Sequence, residues 1–159
     1  EGESSSLIEN DDRGISIYTL DSTKLEGAEG DITEFTFRVS RVGILDEATV
    51  TWSVEGLGDY PAGELDFEGY EGMPEGVINF TNQEHIDFTV RVNGDNVLGS
   101  NETFKVILAG DNIMLGEAQS TIINDDTELT LTVDEADVVE GGIYTYTVTR
   151  TGDISRAAT

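Results

Sequence analysis

The chain repeats itself at a fixed distance, and that repeat constrains what its two ends can be. Gly2, Glu3, Ser6, Ile8, Asn10, Asp11 and Asp12 recur as Gly116, Glu117, Ser120, Ile122, Asn124, Asp125 and Asp126, 114 residues further on. Ile15 and Ile17 then match Leu129 and Leu131, and Glu26-Gly27 matches Glu140-Gly141. After a gap, Phe35-Thr36-Phe37-Arg38-Val39-Ser40-Arg41 matches Tyr144-Thr145-Tyr146-Thr147-Val148-Thr149-Arg150, Gly43 matches Gly152, and Ala48 matches Ala157. The 159 residues therefore read as one complete unit, 13–126. The last strand of a similar unit, 1–12, precedes it, and the first strands of another, 127–159, come after it.

Within the complete unit the apolar residues alternate, as half-buried strands require. Ile15 and Ile17 share one face of a first strand, and Phe35, Phe37 and Val39 one face of a second. Val50, Trp52 and Val54 mark a third; a short strand is expected at Val77–Phe80. Ile86, Phe88, Val90 and Val92 mark the next, followed by Phe104, Val106 and Leu108, then Ala118, Ser120 and Ile122. About seven short antiparallel strands, with Gly, Asp and Asn in the connections, describe an all-β, Ig-like β-sandwich. Gly56–Gly76 lacks alternation and holds both prolines, so it reads as a long, partly ordered loop in which Phe67, Tyr60 and Tyr70 serve packing rather than the alternative, contact with a ligand. Trp52 reads as a core residue and His85 as an exposed strand residue.

Residues 127–159 carry an apolar face (Leu129, Leu131, Val133, Tyr144, Tyr146, Val148) with too few strands to bury it. Either the natural polypeptide continues, or a strand-donating copy of the chain supplies the missing strands through sheet-edge hydrogen bonds.

The net charge of −25 narrows the partners. Such a surface repels phosphate backbones and anionic lipid, so nucleic acid and membrane surfaces are poor partners. Hard cations with oxygen ligands are good ones. The absence of Cys removes disulfides, thiolate metal sites and a cysteine nucleophile. No apolar run is long enough for a membrane-spanning helix, and EGESSSLIEN has neither the basic nor the apolar region of a signal peptide. The missing initiator Met suggests a processed protein or an excised segment. With a single His and no Gly-x-Ser-x-Gly, P-loop or His-Glu-x-x-His, the chain is not expected to be an enzyme. Asn101-Glu102-Thr103 is formally a glycosylation sequon, meaningful only in a glycosylating secretory pathway.

Glu26-Gly27, Ala62-Gly63-Glu64-Leu65-Asp66-Phe67, Gly94-Asp95-Asn96, Asn101-Glu102-Thr103-Phe104 and Ile123-Asn124-Asp125-Asp126, in that order, resemble segments of the Calx-β domain, the calcium-binding β-sandwich of sodium/calcium exchangers, which is also found in tandem arrays of surface and matrix adhesins. Glu26-Gly27 resembles the family's Glu-Gly after the first strand, and Ala62-Gly63-Glu64-Leu65-Asp66-Phe67 its Ala-Gly-Ser-Asp-Tyr segment with one added residue. Gly94-Asp95-Asn96 and Asn101-Glu102-Thr103-Phe104 resemble its Asp-rich turn and Asp-Glu-Thr-Phe. Gly116, Ala118 and Ile123-Asn124-Asp125-Asp126 resemble its closing strand and terminal Asp run. Gly94, Gly99, Ser100, Asn101 and Asn124 stand where the family often has acids, which implies fewer or weaker ions.

The strand reading gives these acids a common address. Loops of an Ig-like sandwich gather at its two ends. If those carrying Glu26, Asp66, Asp95, Glu102, Asp125 and Asp126 share one pole, six carboxylates converge and repel, and Ca²⁺ resolves that repulsion. Mg²⁺ wants a tighter octahedron, and Zn²⁺ lacks its usual ligands. Asp11 and Asp12 would serve the preceding repeat and Glu140 the next one. The resemblance implies a calcium-binding structural or adhesive module of a secreted or cell-surface protein, Ca²⁺ rigidifying an extended array or filament, with neighbouring repeats and a cell-surface or matrix ligand as partners. The alternative is a calcium-sensing regulatory domain of a membrane transporter-like protein.

Overall fold

Alternating apolar residues build two sheets whose inner faces meet in an aromatic core. The computed structural model describes residues 14–43, 47–69, 72–133 and 139–152. The expected strand in 1–12, with Asp11 and Asp12, lies outside the described residues, as does Tyr70. The strands in chain order are β1 (Gly14–Thr19), β2 (Thr23–Leu25), β3 (Ile32–Val42), β4 (Ala48–Gly56), β5 (Glu75–Phe80), β6 (His85–Asn93), β7 (Glu102–Ala109), β8 (Ile113–Leu115), β9 (Glu117–Ile123), β10 (Thr127–Val133) and β11 (Tyr146–Gly152). One sheet has the order β6-β3-β1-β8 and the other β2-β9-β7-β4-β5, while β10 and β11 form a separate two-stranded ribbon. The sandwich is thus seven strands of six residues or more plus two three-residue strands, β2 and β8. Those two are too short for alternation to reveal in a sequence.

Packing obeys the alternation. Ile15, Ile17, Phe35, Phe37 and Val39 are buried from one sheet, and Val50, Val54, Phe104, Val106 and Ile122 from the other. The Phe104 ring sits at the centre, edge-on to Phe35 at 5.3 Å and to Phe67 at 5.4 Å, arrangements that aromatic quadrupoles favour. Trp52 is half-buried, its ring 4.6 Å from that of Phe88. It lies across Gly76, where a Cβ would come within 2.7 Å of the indole nitrogen. Arg41, although charged, is 8% exposed; its guanidinium lies 5.2 Å from the Phe80 ring centroid, and its Nε donates to the Gln83 carbonyl at 2.6 Å. His85 is exposed at the start of β6.

The segment between β4 and β5 is more structured than its sequence suggests. It bridges Pro61 to Thr103 and Phe67 to Val92, and it makes one 3-10 turn at Glu64–Asp66. Phe67 and Ala62 are buried, so this loop contributes two side chains to the core, while Tyr60, at 61%, is exposed rather than packed. Asn93 fastens it, donating from Nδ2 to the carbonyls of Leu65 at 3.1 Å and Phe67 at 2.7 Å.

Asp21 is an acid with a purely structural environment. Its carboxylate accepts from the Thr36 amide at 2.8 Å and pairs with Lys24 at 2.9 Å. Its carbonyl accepts from the hydroxyls of Thr19 and Ser120, tying the two sheets together. Burial alone would raise its pKa, but the hydrogen bonds of Lys24 and Thr36 outweigh it and hold the group below the ordinary 3.8. Asp21→Ala should therefore cost about 1–2 kcal/mol, because it orphans a part-buried amide. Chemical denaturation should give the same loss with Ca²⁺ and with EDTA.

Candidate metal site

Strand ends place the acids. Glu26 comes directly after β2, Asp66 closes the 3-10 turn, Asp95 and Glu102 flank the β6–β7 connection, and Asp125 and Asp126 come after β9. Because β2 and β9 run parallel and β7 antiparallel to β9, these ends meet at one pole. All six lie close enough for their charges to interact: Asp95, Asp126, Asp125 and Asp66 act on Glu26, and Asp66, Glu26 and Asp95 on Glu102. A cavity of about 80 Å³ opens between them, lined by Glu26, Asp66, Asp95 and Glu102 together with Asn124 and Ser100. One carboxylate oxygen each from Glu26, Asp95 and Asp126 falls within 4.8 Å of the other two.

Backbone and amide contacts hold this arrangement. The Glu26 amide donates to the Ile123 carbonyl at 3.1 Å, and the Gly27 amide to Asp125 Oδ1 at 3.1 Å. Asp66 Oδ2 accepts from the Gly63 amide at 2.6 Å, and Asp95 Oδ1 from the Val97 amide at 2.6 Å, so each acid is oriented by its own turn. Asn124 donates from Nδ2 to the Val97 carbonyl at 2.9 Å, and its amide donates to Asn101 Oδ1 at 3.1 Å. In the sequence Asn124 and Asn101 read as missing acids, Asn101 also as the start of a formal sequon, and Asn93 carries no signal. In the structure all three brace the loops that carry the acids. Gly94 has a similar explanation: a Cβ there would sit 2.4 Å from the Ala28 carbonyl oxygen and 2.5 Å from that of Gly27. An acid at this position would push the Glu26 loop off Asp95.

The electrostatic cost is visible. Glu26 is 7% exposed, and its Oε1 has no hydrogen-bond partner; the same holds for the buried Oδ2 of Asp126. Burial first, and then the charges of Asp95, Asp126, Asp125 and Asp66, raise the Glu26 pKa from 4.5 to about 7. Burial, the Asp66 charge and a carboxyl–carboxyl contact with Asp66 raise Glu102 to about 7. Asp126 is raised by burial and by Asp95 and Asp125. No Lys or Arg is among the causes of these three shifts. Two buried acceptors with no donor, in a negative field, suit a bound cation. Glu140 is exposed in the turn before β11 and is not among the three acids whose oxygens come together.

The two-sheet sandwich is the fold of Calx-β domains. The calcium binding domain CBD12 of CALX1.1 matches with a TM-score of 0.52 at 24% identity, over 69% of this chain and 44% of that one. The apo-form CBD1 domain of Calx matches at 0.50 and 21% identity, over 71% of this chain and 99% of that domain. CBD12 from CALX1.2 matches at 0.52 and 20%, over 76% and 49%. The chain thus spans less than half of the two CBD12 chains. No protein-family model matches the sequence, and no curated protein matches it either.

Proposed function

We propose that the acidic pole is a Ca²⁺ site and that the chain is a calcium-binding structural module rather than an enzyme. The observation that carries this reading is the pair of buried, donor-less oxygens on Glu26 and Asp126, on residues whose carboxylates come within ligand distance of Asp95. Ca²⁺ takes 6–8 oxygens in adaptable geometry and accepts mono- and bidentate carboxylates. Glu26, Asp95 and Asp126 would form the centre of the site, with Asp66, Glu102 and Asp125 around it. CBD12 of CALX1.1 is a calcium binding domain by its own description, which supports the same choice of ion.

The location of the pole supports a mechanical use. Asp126 ends the loop after β9, and β10 begins at Thr127, so no linker separates the site from the next strand. A cation holding Asp125 and Asp126 to Glu26, Asp95 and Asp66 would stiffen that junction. In a secreted or cell-surface protein this would rigidify an extended adhesive array or filament. Millimolar affinity fits that setting, and micromolar affinity fits a sensor of cytosolic Ca²⁺.

Thermal melts with Ca²⁺ and with EDTA test the ion. At a hundredfold excess over the dissociation constant, binding adds about 2.7 kcal/mol, roughly 10 °C for a domain of this size. Identical melts would refute the calcium reading, and calorimetric titration would separate array from sensor by affinity.

A further inference from the structure

Asn93 gives no sign in the sequence of its bracing role, yet with Gly94 it forms the one Asn-Gly pair in the chain. Such a pair is chemically labile. The Gly amide nitrogen attacks the Asn side-chain carbonyl carbon, closing a cyclic succinimide and expelling ammonia. Water then opens the ring at either carbonyl, leaving aspartate or isoaspartate. Gly permits this most readily, because it has no Cβ to obstruct the ring and its backbone turns freely. In the folded chain both reacting groups are tied down. Asn93 ends β6 opposite Ile32, and its Nδ2 donates to the carbonyls of Leu65 at 3.1 Å and Phe67 at 2.7 Å. The Gly94 amide donates to the Asp31 carbonyl at 2.9 Å, and Gly94 is buried against the carbonyls of Gly27 and Ala28. The same contacts make both residues necessary. Among short side chains only an amide offers two donors, as the Asn93 position requires. Gly94 has no room for a side chain at all.

We infer that Asn93 is a site of spontaneous deamidation, held shut by the fold and released when the loop carrying Asp66 lifts away from the end of β6. In an opened chain the Gly94 nitrogen bonds to Cγ of Asn93, the Cγ–Nδ2 bond breaks, and the nitrogen leaves as ammonia. One water is then consumed in opening the ring, with no change of oxidation state. The product cannot refasten the loop. A carboxylate accepts hydrogen bonds and donates none, so at this position it faces the Leu65 and Phe67 carbonyls with nothing to offer them. It also adds a negative charge between segments that already carry Asp66 and Asp95. Isoaspartate lengthens the backbone by a methylene just before Gly94, which the Gly27 and Ala28 carbonyls already crowd. Each opening that ends in deamidation therefore removes a molecule from the population able to close. None of these steps requires a bound ion.

The test compares the folded chain with the chain unfolded in guanidinium chloride, both in EDTA at mildly alkaline pH and body temperature. Peptide mass mapping scores acid in place of amide, and enzymatic methyl transfer scores isoaspartate. Asn93 should convert at least about 100-fold faster in the unfolded chain. The exposed Asn82 and Asn96, followed by Gln83 and Val97, are controls and should stay largely amide in both states. Asn93→Asp installs one product directly and should melt about 5 °C or more below the parent in EDTA. In that variant the Glu68 amide, which donates to the Arg91 carbonyl at 3.0 Å, should exchange at least about tenfold faster while β1 and β3 stay protected. Equal conversion of Asn93 in the folded and unfolded chains overturns the inference, because the contacts then shield nothing. So does conversion in the unfolded chain no faster than at Asn82 and Asn96. So does an Asn93→Asp protein that melts with the parent and protects Glu68 equally.

Discussion

Glu26→Gln is expected to stabilise the metal-free protein and to abolish most of its response to Ca²⁺. The carboxylate is buried, Oε1 has no donor, and burial together with four other acids raises its pKa to about 7. An amide of the same shape carries no charge and can donate to a neighbouring carboxylate, whose oxygens lie within 4.8 Å. Relieving a buried, unsatisfied acceptor is worth roughly 1–3 kcal/mol, several degrees in melting temperature. The same change removes a ligand from the centre of the site, so most of the calcium-induced rise disappears. Opposite signs in EDTA and in Ca²⁺ distinguish a binding residue from a structural one; Asp21→Ala should destabilise equally in both. Paired melts decide it. A Glu26→Gln variant that is less stable in EDTA, yet still gains the full calcium shift, would show that Glu26 is a packing residue and not a ligand.

The parts of this molecule legible in sequence are those that alternation and strand ends control. Ile15 and Ile17, Phe35 to Val39 and Phe104 to Leu108 declare their faces because a strand repeats every two residues. The convergence of Glu26, Asp66, Asp95, Glu102, Asp125 and Asp126 is legible for the same reason: once strand ends are known, loop positions at one pole are known too. The features hidden from the sequence depend on tertiary contact. Phe67 reads as a packing residue, but it lies in a stretch without period, so its edge-on contact with Phe104 is not legible. Asn93 carries no signal in the sequence, and Asn101 and Asn124 read as missing acids. Their bracing role exists only because the carbonyls of Leu65, Phe67 and Val97 and the Asn124 amide arrive beside them. Gly94 reads as a lost acid in the sequence, but in the structure the Gly27–Ala28 backbone occupies the space a side chain would need.

Stability of the metal-free protein should fall as pH rises from about 5 to about 8, and Ca²⁺ should reverse that slope. Glu26 and Glu102 titrate near 7 when folded and near the ordinary 4.5 when unfolded. Between those values the folded state holds more protons than the unfolded state, so raising the pH favours unfolding. Their stabilising contribution is complete below about pH 4.5 and lost as the pH passes through about 7. Asp126 is shifted in the same direction and adds to the slope. Asp21 and Asp87 act oppositely. Burial pushes Asp21 up, but its hydrogen bonds with Lys24 and Thr36 win, and the Arg38 pair at 2.7 Å holds Asp87 down. Both stay below 3.8, so their contribution is lost only in stronger acid. The metal-free optimum therefore lies on the acid side of neutral. Ca²⁺ needs the carboxylates ionised and competes with their protons, so its stabilisation is small near pH 5 and largest above about pH 7.5. The difference between melts in Ca²⁺ and in EDTA should widen across that interval. General repulsion from a net charge of −25 would also lower stability at high pH, but Glu26→Gln separates the two causes. The variant changes the net charge by one and should remove a large part of the slope in EDTA. A slope unchanged by Glu26→Gln would assign the pH dependence to the surface as a whole and leave the acidic pole without a special role in it.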